Sequence, residues 1–514
     1  MRTPMYLAGL FAVLLGCSAD KVTDLGIVPS PHSGFFVSVD GSQTGDGSST
    51  DPWTLATALA QPAVVKAGDT IWLRGGTYRG DFTSNLTGAP AAPIILRQFP
   101  GERATVDGRF SVIGSYAWYW GFEVMYSDPQ RVSAIAGSAP TDLPRFGKAI
   151  GSKGQGSFNK YINLVVHDMS DGLGDNSSAR GTEFYGNIIY NNGWIGPDRG
   201  HGHGMYIQNQ FETKRIIDNV IFNSFSTGLK IGGTAASYEL NFQIEGNSIF
   251  LAGAPALESF PYQANTQVQG GSNIGNITFD KNSFYHLDGN KISVWLGETG
   301  GEMAVSPVTV TNNYIQGSIQ ISIWQAVTYT GNKLVSGPVP FVNDGHRLMT
   351  VRVPTGVLKS AYRINNNSYS WQPTLVGPLH VRQDGVGTTY TTLAAWQAAT
   401  GWDGSSLLTA STFTGFDIIV RPNRYEPGRA TVTVWNWENA ASVDVDVASL
   451  LKVGDKYTVH HVYDFFGPPV VEGTYSGGPI SVTLREYTAP TPIGMTAAPP
   501  STGSQFNVFI IRKS

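Results

Sequence analysis

The chain has 514 residues, 61 of them glycine, with 14% charged residues and a formal net charge of -4. That length suits a repeat body with an added module, and the glycine-rich, charge-poor composition points to a turn-rich all-β chain rather than a helical one. The charge excludes a basic nucleic-acid footprint, and the single cysteine, Cys17, excludes an internal disulfide or a cysteine-based zinc site.

Residues 1–17 combine Arg2, an apolar run from Met5 to Leu15 and then small residues. This is the pattern of a secretory signal segment, too short to span a membrane. The ending LLGC, Leu14 to Cys17, resembles a bacterial lipobox. The resemblance implies a lipidated Cys17 as the only membrane attachment and, with Ser18 following, a place at the outer membrane or cell surface. An ordinary signal peptide with a chance cysteine is the alternative. Residues 18–33 are polar and contain proline, as a tether does.

From Gly34 the pattern predicts a strand at Phe35–Val39, a short amphipathic helix near Thr54–Val65 and a strand at Thr70–Leu73. The run AGDTIWLRGGTY, continued by APIILRQFPGERATVDG (Ala92 to Gly108), resembles the opening of right-handed parallel β-helix proteins, including polysaccharide lyases. In that family the helix plugs the open end of the coil. The middle of the chain supports a solenoid independently. Units of the form Asn-x-apolar place Asn at 163, 187, 219, 247, 282, 313, 332 and 367. Such a unit cannot bury its own apolar face and must stack on its neighbours. Asn at a repeated corner tolerates left-handed φ, and its amide can bond the Asn of the next coil.

The segment Thr391 to Ser406 resembles one that follows the last rungs in carbohydrate-active β-helix proteins. The predicted β-helix therefore occupies residues 34–415. Beyond it, Phe416 to Ser514 alternates apolar and polar residues and reads as a β-sandwich, similar to accessory domains of secreted glycan enzymes. It is expected to cap the end of the coil, or to bind glycan through Trp435 and Trp437.

Three strand openings superpose: SDGLGD (Ser170 to Asp175), GHGMYIQ (Gly202 to Gln208) and STGLKIG (Ser226 to Gly232). Leu173, Met205 and Leu229 then point inward, and Gly174, Tyr206 and Lys230 point outward. A fourth rung, PALESF, would add Glu258 to that face, and Gln208 lies two residues along it. His203 shares phase with the inward residues, together with Asp171 and Thr227, whereas His201 sits in a loop.

The lyase resemblance implies a base, a cation that neutralises a uronate carboxylate, and an acid for the leaving oxygen. Lys230 is the expected base, and Tyr206 or one of His201 and His203 the acid. Arg180, Arg199 and Lys214 are expected to hold acidic sugars, and Trp194 either to stack on them or to pin its loop. Asp168, Asp171 and Asp175 offer oxygens for calcium, or are solvated turn residues. Hydrolysis would instead need two carboxylates from Asp171, Asp175, Glu183 and Glu258. The expectation is a monomeric polysaccharide lyase acting on an acidic glycan. A glycoside hydrolase, a uronate epimerase and a non-catalytic glycan-binding protein are the alternatives.

Overall fold

Strands of three to eight residues, broken by left-handed turns, wind this chain into a coil. The computed structural model describes residues 33–514 except 153, 155, 235, 271–272, 288–291, 298–306, 337–346 and 372–376. The expected leader, Cys17 and all but the last residue of the tether lie outside the described residues. Three sheets hold twelve described strands each. The first runs from Phe35–Ser42 to Tyr362–Asn365, and the third from Gly76–Arg79 to Leu407–Thr409. The second runs from Phe82–Ser84 to Leu379–Gln383 in parallel register and ends with the antiparallel strand Val386–Tyr390. Successive turns of the chain visit the sheets in rotation, which defines a parallel β-helix.

Inward side chains form one continuous core. Leu173, Met205 and Leu229 are fully buried in it, and Tyr119, Tyr161 and Phe184 stack through it at 5.5 and 5.1 Å. At the corner between the first and third sheets an amide ladder runs Asn187, Asn219, Asn247, Asn282, Asn313, Asn332 and Asn367, each Nδ2 donating to the next Oδ1 at 2.8–3.2 Å. The left-handed backbone falls one residue earlier than expected, on Gly186, Asp218, Gly246, Lys281, Asn312, Gly331 and Asn366. The ladder asparagines are thus selected for their amides and their predecessors for φ. Asn163 has left-handed φ itself, and its side chain leaves the ladder for Asn423 and Glu426.

The first helix spans only Leu55–Leu59, capped by Thr54, with Leu55, Ala58 and Leu59 in the coil core. It stops short of the expected Val65 because Gln61 takes φ 58° ahead of Pro62, where helical backbone is disfavoured. At the other end, the helix Leu393–Thr400 drives Trp396 into the same core, where its indole donates to Asp403 at 2.8 Å.

The C-terminal segment forms a five-stranded antiparallel sheet and a two-stranded one sharing a hydrophobic core. That core continues into outward side chains of the third sheet, including Val220, Phe222, Phe250, Tyr285 and Tyr314. The module therefore lies along the flank of the coil rather than over its end. Trp435 is fully buried and stacks on Tyr314 at 4.0 Å, and the Trp437 indole donates to the Tyr314 hydroxyl at 2.5 Å. Both indoles are used in docking, which corrects the expectation that they meet glycan.

Candidate active site

The expected register holds on the second sheet. Gly174 pairs with Tyr206, and Tyr206 with Lys230, while Leu173, Met205 and Leu229 pair beneath them. Tyr206 is 37% exposed on this face. The next strand is Thr266–Gln269, so Lys230 is followed by Gln267, not Glu258. Glu258 falls in the insertion between these strands, after the 3-10 turn Ala254–Ala256, exposed and off the sheet. Gln267 and Gln269 were missed, although the alternation of TQVQ carries the signal.

Two adjoining hollows open on this face. One, of about 270 Å³, is floored by Gly151 and Gly174 and walled by Ser111, Asn176 and Gln208. The other, of about 380 Å³, is walled by Trp194, Arg199, His201, His203, Lys230 and Gln267. Asp171 and Tyr206 line both and so form the partition. Gly151 is required because a Cβ there would strike the Gly174 carbonyl, whereas a Cβ on Gly174 would project into open space.

The proton-transfer groups meet at the partition. Asp171 accepts the His203 backbone N–H at 2.8 Å, and burial raises its carboxyl to about 6. The His203 and Tyr206 rings lie 5.3 Å apart. Burial, then the Lys230 ammonium, push the imidazole down to about 3, so it is neutral. Among the described residues its buried Nδ1 has no hydrogen-bond partner. Burial, then Asp171 and Glu239, raise the Tyr206 phenol and keep it protonated. Lys230 Nζ donates to Gln267 Oε1 and Gln269 Oε1, both at 3.0 Å.

Other expected site residues are held by the scaffold. His201 is buried rather than free: it bonds Asp198 at 2.9 Å and stacks on Trp194 at 5.1 Å. Trp194 is itself 3% exposed, and this pair pins the loop that carries Arg199, which bonds Asp198 and Ser138. Gln208 bonds the Gly232 carbonyl and Ser237. Arg180 pairs with Glu212 and lines neither hollow. Lys214 is fully buried in an ion pair with Asp175 at 2.7 Å, which removes both from solvent. Asp168 is buried against Arg131 and His167. Of the three aspartates only Asp171 keeps an open side, so they do not fit a calcium site. Among the described residues no three His, Cys, Asp or Glu side chains converge on a metal position. Glu183 is bound by Arg424 and Tyr425 on the first sheet, away from both hollows.

The stacked sheets define the chain as a parallel β-helix protein. No family model matches it. Pectate lyase PEL9 of Emericella nidulans is 39% identical over 77 residues, 14% of this chain and 18% of that protein. The chain thus matches less than a fifth of that curated relative's length. Among solved structures, pectate lyase Pel9A aligns at 16% identity over 72% of this chain and 86% of its own, with a TM-score of 0.38. XylC in complex with xylose aligns at 11% over 93% and 99%, with 0.45. The A-module of the Azotobacter vinelandii mannuronan C-5 epimerase AlgE4 aligns at 14% over 68% and 91%, with 0.43.

Proposed function

We propose that the chain is an extracytoplasmic polysaccharide-degrading enzyme, a lyase that cleaves an acidic, uronate-containing glycan by β-elimination. The observation that carries this reading is the partition, where a neutral imidazole, a protonated phenol and an ammonium face one cleft. Lys230 neutralises the uronate carboxylate and the charge that builds on it. It is reassigned from base to cation because its Nζ protons serve two amide oxygens. His203 removes the proton beside the carboxylate, the C–H electrons form the ring double bond, and the C–O bond to the next sugar breaks. Tyr206 gives its proton to the departing oxygen and recovers one from His203, its neighbour.

The test is turnover of polygalacturonate, alginate and neutral polymers, followed by ultraviolet absorbance and reducing ends together. Elimination raises both on a uronic-acid polymer. Tyr206→Phe is expected to lower turnover by roughly 10²–10⁴-fold, the usual contribution of a positioned acid. Reducing ends without absorbance would overturn elimination in favour of hydrolysis. That second reading draws support from Asp171, whose raised carboxyl suits a general acid.

A further inference from the structure

The sheet that bears the site continues beyond Lys230. Its outward positions run Lys230, Gln267, Trp295, Gln320, Thr350 and His380 in register. Two residues along the same strands, Ser322, Arg352 and Arg382 are also in register. Their intervening neighbours Ile321, Val351 and Val381 are in the core, so alternation turns this column away from it, with Ser322 covered, Arg352 partly buried and Arg382 exposed. Neither Arg352 nor Arg382 pairs with an acidic side chain among the described residues, although they lie one rung, about 4.8 Å, apart. Like charges opposite one another are destabilising unless something offsets them. Among the described residues, Arg352 Nε and Gln320 Nε2 are shielded from water and have no hydrogen-bond partner. Each is able to donate, which is the inventory an anion requires.

We propose that Gln320, Arg352 and Arg382 form a second anion subsite, which holds a carboxylate or sulfate group of the glycan chain engaged at Tyr206 and Lys230. The extension rests on the site reading above. The subsite lies three to five rungs beyond Lys230, roughly 14–24 Å at the rung spacing, with the partly buried Trp295 between them as a sugar platform. His380 is lowered by burial and then by the positive charges of Arg347, Arg352 and Arg382, which places it beside the same cationic patch. A polymer that crosses both places gains affinity over a fragment that reaches only one.

The experiment is calorimetric titration of the protein with polygalacturonate and alginate as carboxylate probes and dextran sulfate as the sulfate probe. Arg352→Gln/Arg382→Gln is compared with Arg215→Gln/Arg363→Gln, which removes the same charge from exposed positions on the first sheet. The first variant is expected to bind at least about tenfold more weakly, with a shallower salt dependence, the second within about twofold of the parent. Should the double variant melt early, Arg382→Gln, at an exposed position, is expected to show about a threefold loss. Loss confined to one probe class supports the subsite and names its anion. Parental affinity in the arginine variants, or a parent that binds none of the three polymers, overturns it. Lost affinity with no turnover on any polymer would keep the subsite and remove the lyase, whereas parental affinity with Tyr206-dependent elimination would do the reverse.

Discussion

Asp171 carries the sharpest residue-scale consequence. Its folded carboxyl sits at about 6, above the ordinary aspartate value, so the folded state holds the proton more tightly than the unfolded one. The stability this confers is full below about pH 4 and is lost as pH rises to about 6, by up to about 3 kcal/mol at neutral pH. Asp171→Asn keeps an acceptor for the His203 N–H and removes the buried charge. It is expected to raise the melting temperature at pH 7, to flatten the rise in stability between pH 6 and 4, and to lower turnover. A variant that melts like the parent at both pH values would show that the carboxyl carries no such strain. Tyr206 and Lys230 were legible because strand alternation and glycine spacing place them. The same alternation sends Lys214, in phase with Ile216, and Asp175, in phase with Leu173, into the coil. Their charges concealed it, since such side chains are seldom buried unless they find each other.

At the scale of elements, two expectations follow from the rungs. Asn247 accepts from the Asn219 backbone and side chain and donates to the Ile216 carbonyl and Asn282. Asn247→Ala would strand several buried groups and is expected to cost about 2–5 kcal/mol, against about 1 kcal/mol for Asn163→Ala outside the ladder. Denaturant or thermal melts of the pair check the contrast, and equal losses would remove the ladder's special role. Gly174→Leu has room in the folded chain because its Cβ direction is open, yet it fills the hollow beside Tyr206. It is expected to melt like the parent and to raise KM at least about tenfold. Unchanged KM would place the substrate elsewhere. Glu258 was misplaced because the insertion before Thr266–Gln269 broke the repeat spacing, and register is set by backbone pairing, not by sequence distance.

At the scale of the whole molecule, the C-terminal module is clasped to the coil by a buried ionic chain. Arg131 and Asp168 hold the backbone of Ile493, and His167 bridges Asp168 and Glu123, each at 2.8 Å, with Arg103 on the far side of Glu123. Burial opposes the His167 charge, but the bonds to Asp168 and Glu123 outweigh it and raise the imidazole to about 9. Because the folded value is raised, this contribution is full below about pH 6.5 and is lost as pH rises through about 9. Melting temperature is expected to fall over that window, and His167→Gln to flatten the fall; an unaltered alkaline profile in the variant would sever the link.

The sequence by itself determined the solenoid, because repeated asparagines, left-handed corner residues and period-two apolar positions are local requirements of each rung. It also placed Tyr206 against Lys230. Only the tertiary structure decided that the module docks along the flank, that Trp435 and Trp437 face Tyr314, and that Asp171 rather than a metal cluster divides the cleft. Those outcomes depend on which buried charges and rings meet across long sequence separations. The free energy of each such meeting is set by desolvation and partner geometry, and no short stretch of chain encodes it.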